Sequence, residues 1–407
     1  MLAVQYAVSS LITILMIPHI VKFIGLNNYG MIAIGLSLAN YAAIIVQYAF
    51  HLTGPKQLAY PPSGKSAKDV FLEITGAKLI LLGAVFIVFL ASIPFIKYFG
   101  SWDSKIWFFL LLPVGTALNS TWYFQFIGRF FVSSSIAIIA AVMTLVIGFG
   151  MVTANNISSI TAATFSLVIG AFLTGIGTFL SACWFLRHSQ GGIIWRASVC
   201  VLRDGVSIFF SQFTSALYAL SGPLIIGFFV NAQAAGAYST GEWFSNAVIG
   251  ICLLIHTSAY RKLTILYHDQ RRAYWKLMRF VFGVYFACVL PILVIVILAG
   301  DMRERFLFGA TATGLSTLIW WGMAWVSLGI FGTAITGYLT TSGRQNMVLP
   351  LTAKVLIVSL VLGVPGVIYF GSWAWLASLA LSQSLVVFVG YIALKNDYKQ
   401  TGLRHGR

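Results

Sequence analysis

Apolar residues run along this chain in long uninterrupted blocks, separated by short polar connections. Blocks of about 18 or more such residues can cross about 30 Å of hydrocarbon as a helix. The pattern predicts helices near 2–21, 30–50, 74–96, 106–126, 131–151, 158–186, 206–229, 237–258, 279–299, 311–340, 348–370 and 373–394. The expectation is an all-α polytopic membrane protein with about 12 transmembrane helices. The segments are continuously apolar and far exceed the about 11 residues of a membrane strand, which argues against a barrel. The connection 187–205 divides the spans six and six, giving an N-terminal six-helix bundle over 1–195 and a C-terminal bundle with its tail over 196–407. A wide basic loop follows the second span of each half, a faint internal symmetry of the kind transporters carry.

Composition agrees with the pattern. Charged residues are 8% of the 407 and apolar residues 59%, against about 25% and about 45–50% in soluble domains. Twenty of the 25 basic residues fall on the predicted side that holds both termini, and five on the other. Short loops rich in Lys and Arg stay in the cytoplasm, so both termini are expected there. The net charge of +16 is spread over separate loops of one face. It suits anionic lipid headgroups and gives no reason to invoke nucleic acid. The first apolar stretch has no basic residue before it and Pro18, His19 and Lys22 after it, so it reads as a retained helix rather than a cleaved signal. Cys183, Cys200, Cys252 and Cys288 show no metal-ligand spacing.

No bond-making chemistry is visible. There is no HExxH, no G-x-S-x-G and no Gly-rich phosphate loop, and Asp and Glu total nine. The chain reads as a non-enzyme without a cofactor. The informative residues are polar ones inside the spans. Asn40 and Gln47 share one face of the second span. Asn119, Trp122, Gln125 and Arg129 follow an i, i+3, i+6, i+10 course, which is one stripe of a continuous helix. Gln212, Ser215 and Tyr218 form another. Such groups seldom face lipid; they either line a polar cleft or bond helix to helix. Glu242 is the acidic residue plainly within a span. It could carry a proton or hold a sodium ion, and it could equally stabilise packing. Gly25 and Gly30 bracket Asn27-Asn28, a turn signal that serves either as a plain reversal or as a hinge.

Four segments resemble the polysaccharide-unit flippases, the O-antigen and exopolysaccharide exporters of the multidrug/oligosaccharidyl-lipid/polysaccharide exporter superfamily. They are QYAVSSLITILMIPHIVKFIGLNNYG from Gln5, NSTWYFQFIGR at 119–129, the stretch 203–243, and TSGRQNMVLP at 341–350. The second departs from the family pattern, with Phe126 where glycine is usual and Gly128 where an acid is common. The resemblance implies flipping of a polyprenyl-pyrophosphate-linked oligosaccharide to the outer leaflet of a bacterial inner membrane, by alternating access. It implies that Arg129, Arg203 and Arg261 are placed to meet the pyrophosphate, since arginine grips phosphate with a bidentate fork. Trp122 and Tyr218 offer ring faces to sugars. A polysaccharide polymerase and a chain-length regulator are the implied partners, and a proton or sodium gradient the implied drive. The competing readings are an ion-coupled drug antiporter of the same superfamily and a non-transporting scaffold for glycan assembly.

Overall fold

The computed structural model describes residues 2–59, 65–99, 104–153, 159–189, 192, 195–308, 315–341 and 348–403. Within them the chain is helical throughout. The helices are α1 (Leu2–Gln47), α2 (Phe50–Ala59), α3 (Ala67–Phe99), α4 (Leu111–Leu118), α5 (Thr121–Phe126), α6 (Phe130–Thr153) and α7 (Ser159–Phe185). They continue as α8 (Trp195–Leu220), α9 (Gly222–Phe229), α10 (Ala232–Asp269), α11 (Arg271–Phe308), α12 (Leu315–Thr341), α13 (Val348–Phe370) and α14 (Trp373–Leu403). A 3-10 turn, Ser104–Leu110, leads into α4.

The count of twelve spans in two six-helix bundles does not hold. Among the described residues six helices are long and apolar enough to cross a membrane, or seven if the pair Ile208–Leu220 and Gly222–Phe229, bent by 44°, forms one span. The reasons are local. The first two expected spans run on through α1, two helical stretches joined across a kink at Gly25 (φ 79°, ψ 162°), and only Leu15–Ala59 counts there as one apolar span. The expected span 106–126 breaks into the 3-10 turn, α4 and α5. In α10, Gln233, Ser239, Thr240, Glu242, Ser245 and Asn246 interrupt the apolar run. In α12 the apolar stretch among the described residues is Gly322–Gly332. The chain is a multi-pass membrane protein, but the even span number that placed both termini on one side is gone with the count.

The helices gather into two compact units. The first comprises Met1–Ile24 and Met31–Leu220, the second Gly25–Gly30 and Ser221–Arg407. In the first, α7 packs on α6 and α4, α3 on α8, and α2 on α5. Glycines let α4 and α7 approach backbone to backbone. A Cβ on Gly175 would meet the Gly115 carbonyl oxygen, and one on Gly115 would meet the backbone of Ala171 and Phe172. Membrane helices associate through such small residues because lipid offers no hydrophobic drive. A buried core joins Tyr48, Phe50, Phe71, Ile74, Trp122 and Phe124. Between α1 and α2 the backbone turns left-handed at Tyr48 (φ 44°) and Ala49 (φ 62°). The stack of Tyr48 on Phe209 of α8, 4.5 Å between ring centroids, supports that unusual geometry.

In the second unit α10 packs on α9, α11 and α12, and α14 on α12 and α13. The Ser359 and Ser382 hydroxyls meet at 2.8 Å between α13 and α14, above a core centred on Trp375, Leu376 and Leu379. The short segment Gly25–Gly30 is seated on the start of α10. A Cβ on Gly30 would strike the Ala232 carbonyl, and one on Gly236 would strike that of Leu26.

Candidate functional site

The polar groups of the first unit collect where α4 ends. Leu118 is its last helical residue, and Asn119 (ψ 115°) turns the chain out before α5 begins. The Asn119 side chain secures the restart, its Oδ1 accepting from the Thr121 N–H at 3.0 Å. The Thr178 hydroxyl of α7 accepts from the Ser120 N–H at 3.1 Å. A helix end leaves carbonyls without partners, and a lysine takes them. Lys78 of α3 donates from Nζ to the Asn119 carbonyl at 2.7 Å and to the Thr116 carbonyl at 3.3 Å. A cation there also suits the negative end of the α4 dipole.

Lys78 is 1% exposed, in an apolar span, and among the described residues no carboxylate pairs with it. The expected span 74–96 holds it just inside one end, counted with the basic residues on the side of the termini; the structure buries it. The sequence signal was available, since Ala77-Lys78-Leu79-Ile80 lies within the apolar block. His51 of α2 lies within electrostatic reach of it. The His51 Nε2 in turn faces the Gln212 amide nitrogen of α8 at 3.3 Å, while its Nδ1 is buried without a partner. Lys78, His51, Gln212 and Asn119 thus bring together α2, α3, α4 and α8.

Beside this cluster is a cavity of about 310 Å³. Its polar walls are Gln5 and Ser9 of α1, Thr116 and Asn119, Thr144 of α6 and Thr174 of α7. Apart from Asn119, sequence reasoning passed over these groups as sites; single Thr and Ser residues in apolar helices are common and carry no signature.

The other expected site residues are distributed as follows. The continuous helix that would put Asn119, Trp122, Gln125 and Arg129 on one stripe is not formed. Trp122 is buried in the core, stacked on Phe71 at 5.9 Å and packed where a Cβ on Gly54 would stand. Gln125 and Arg129 are exposed, and the Arg129 guanidinium lies 4.7 Å over the Phe185 ring. Asn40 donates to the Leu36 carbonyl of its own helix at 2.9 Å. Gln47 is partly buried at the end of α1, and Tyr218 partly buried in α8, next to the Leu217 carbonyl that accepts from the Tyr41 hydroxyl at 3.0 Å. Arg203 is exposed on α8. All of these belong to the first unit.

Arg261 and Glu242 belong to the second. Arg261 falls in α10, with its side chain outside the described residues. Glu242 is partly exposed. The Tyr238 hydroxyl lies beside its carboxylate, and Tyr29, from the segment seated on α10, is within reach of its charge. Among the described residues no group of His, Cys, Asp and Glu is arranged to hold a metal ion.

One end of the first unit is basic. Lys68 donates to the Ser189 carbonyl at 2.8 Å, and the Gly192 N–H to Asp69 at 3.2 Å, which joins the starts of α3 and the end of α7. Lys65 pairs with Glu73 at 2.8 Å. Arg187 lies 4.7 Å over Trp184, near Arg129 on Phe185.

Comparison with known proteins accounts for this architecture. Residues 1–261 match the model of a family described as polysaccharide biosynthesis protein. A candidate O-antigen transporter of Shigella dysenteriae is 19% identical over 97% of this chain and 98% of its own length. One from Escherichia coli (strain K12) is 24% identical over 65% of this chain and 63% of its own. Among solved structures, the lipid II flippase MurJ in an inward closed conformation superposes with a TM-score of 0.71 at 13% identity, over 96% of this chain and 86% of that one. An inward-facing multidrug resistance MATE transporter of the MOP superfamily superposes with a TM-score of 0.63 at 14% identity, over 99% and 96%. With the family model covering more than half of its length and the MOP fold along nearly all of it, the chain belongs to the polysaccharide biosynthesis protein family.

Proposed function

We propose that this chain is a flippase that carries a polyprenyl-pyrophosphate-linked oligosaccharide from the cytoplasmic to the outer leaflet of a bacterial inner membrane. The observation that carries the reading is likeness to a candidate O-antigen transporter along almost the whole of both chains. The interior of the first unit is consistent with it: a buried ammonium, an imidazole and several amides stand inside apolar helices, where polar groups are costly unless they work. A division into two compact units is compatible with alternating access by movement of one part against another.

Arg129 and Arg203 are exposed cations suited to capturing the pyrophosphate, with Arg261 the third candidate. Asn40, Gln47, Asn119, Gln125, Gln212 and Tyr218 are candidates for the sugar path. Trp122, buried in the core, supports the path from behind. Glu242, with Tyr238 and Tyr29 about it, is the candidate for coupling to a proton or sodium gradient. The basic end that holds Lys65, Lys68, Arg129 and Arg187 is cytoplasmic by the positive-inside rule, in contact with anionic lipid. The polymerase and chain-length regulator of the same glycan are the expected partners.

The test is flipping of a fluorescent lipid-linked oligosaccharide by purified protein in proteoliposomes, read by quenching from outside. Arg203→Lys should retain part of the capture that Arg203→Ala loses, and Glu242→Gln should abolish gradient-dependent flipping. The MATE-like fold favours one competing reading, a drug antiporter. Efflux of a cationic dye, indifferent to added lipid-linked sugar, with no flipping, would establish that reading against ours.

A further inference from the structure

The cavity of the first unit has a chemical character that packing alone does not require. The hydroxyls of Thr116, Thr144 and Thr174 each donate within their own helix, to the carbonyls of Leu112, Ala140 and Gly170 at 2.8–2.9 Å. With their hydrogens so used, they turn oxygen lone pairs toward the cavity. Gln5 adds a fourth acceptor, since its Oε1 is buried with no partner. The walls are therefore rich in acceptors that seek donors, with the Gln5 and Asn119 amide N–H groups beside them, and no carboxylate stands among them.

A cation also seeks lone pairs, but two observations oppose one. An ion needs its oxygens to converge on a single point at about 2.3–2.6 Å, as calcium does. Here the acceptors come from four helices around about 310 Å³, many times the about 30 Å³ of one water. The Lys78 Nζ is bonded to the carbonyls of Thr116 and Asn119, the same residues whose side chains form the wall, so a group that repels a cation whenever it is protonated stands behind it. The space lies at the lower end of the about 300–1,000 Å³ of small-molecule sites. A compact, uncharged, hydroxyl-rich ring meets all three conditions of size, charge and donor content.

We propose that this cavity is a binding site for one uncharged sugar ring, and that Lys78 is the positioning residue that fixes its wall at the α4–α5 break. The choice of a sugar among hydroxylated rings rests on the flippase reading; the donor-seeking, uncharged character of the site does not.

The test uses the full chain in lipid nanodiscs, with saturation-transfer NMR and calorimetry. Free N-acetylglucosamine, galactose and rhamnose are each titrated in choline chloride and again in sodium chloride. At least one sugar should bind saturably in both salts. Ala141→Phe, which fills the cavity, should abolish binding. Thr174→Val, which keeps shape and removes an acceptor, should weaken it at least threefold, and serves if the phenylalanine variant fails to fold. Lys78→Met should weaken binding about tenfold, while Lys78→Arg restores most of it, a rescue that bulk alone would not give. Saturation by none of the three sugars, wild-type binding in Thr174→Val, or competitive displacement of the sugar by sodium would each overturn the site. Loss of lipid-linked flipping with sugar binding intact would sink the flippase reading alone. Flipping without sugar binding would sink this site alone.

Discussion

Gly25 offers a clean measurement of what the break in α1 requires. Its backbone has φ 79° and ψ 162°, a region almost exclusive to glycine that costs other residues about 1–3 kcal/mol. A Cβ there would meet nothing within 4 Å, so Gly25→Ala adds backbone strain and no clash. Alanine also lowers the entropy of the unfolded chain, which returns about 0.4–1 kcal/mol. The net expectation is a loss of about 0–2.6 kcal/mol, centred at about 1.3 kcal/mol. Gly83→Ala is the matched control. It too has open space at the Cβ, but it lies inside α3, where alanine gains up to about 1 kcal/mol of helix propensity. The two single-methyl changes should therefore move stability in opposite directions. The assay is unfolding of purified protein in mixed detergent, followed by tryptophan fluorescence. If Gly25→Ala unfolds later than the wild type, or is no less stable than Gly83→Ala, the chain does not hold that geometry, and the account of α1 fails.

Three further outcomes are expected. Gly175→Ala should cost at least about 1–3 kcal/mol through overpacking, because its methyl meets the Gly115 carbonyl; a monodisperse variant that melts as wild type would refute the close α4–α7 approach. Trp122→Ala should lose about 3–5 kcal/mol as a core truncation, given a side chain only 2% exposed; normal melting with selective loss of flipping would instead make Trp122 a substrate contact. In a double-mutant cycle of Ser359→Ala and Ser382→Ala, the hydroxyl pair at 2.8 Å should show a coupling of about 0.6–2 kcal/mol, and a coupling near zero would remove it as a bond between α13 and α14.

Helix content was legible wherever an apolar block stood alone. The expected spans 131–151, 348–370 and 373–394 correspond to Phe130–Met151, Leu349–Phe370 and Trp373–Ile392, because continuous hydrophobicity fixes both the helix and its length. The breaks were harder to read. Asn119 ends α4 by a carbonyl contact with a lysine 41 residues earlier, and no local rule anticipates a partner so distant. The bend at Leu220–Ser221 was readable in principle, since Gly222-Pro223 places proline in the first turn of α9, a helix-start signal hidden inside an apolar run. The candidate site was legible only in part. Asn119 and Gln212 stood out as amides inside apolar spans and are partly buried, whereas Lys78 was counted only for its charge near the end of the span 74–96, and the cavity depends on hydroxyl orientations that a sequence does not display.

The membership of Gly25–Gly30 in the second unit bears on how this gene can be divided. A fragment beginning at Ser221 would encode nearly all of that unit and still lack six of its residues. The Ala232 carbonyl and Gly236, on which Gly30 and Leu26 lie, would be left uncovered at the head of α10. Chimeras between relatives joined at the end of α8 inherit the same difficulty. The donor of α10 must also donate residues 25–30, or Gly30 and Gly236 will come from parents that were never fitted to one another.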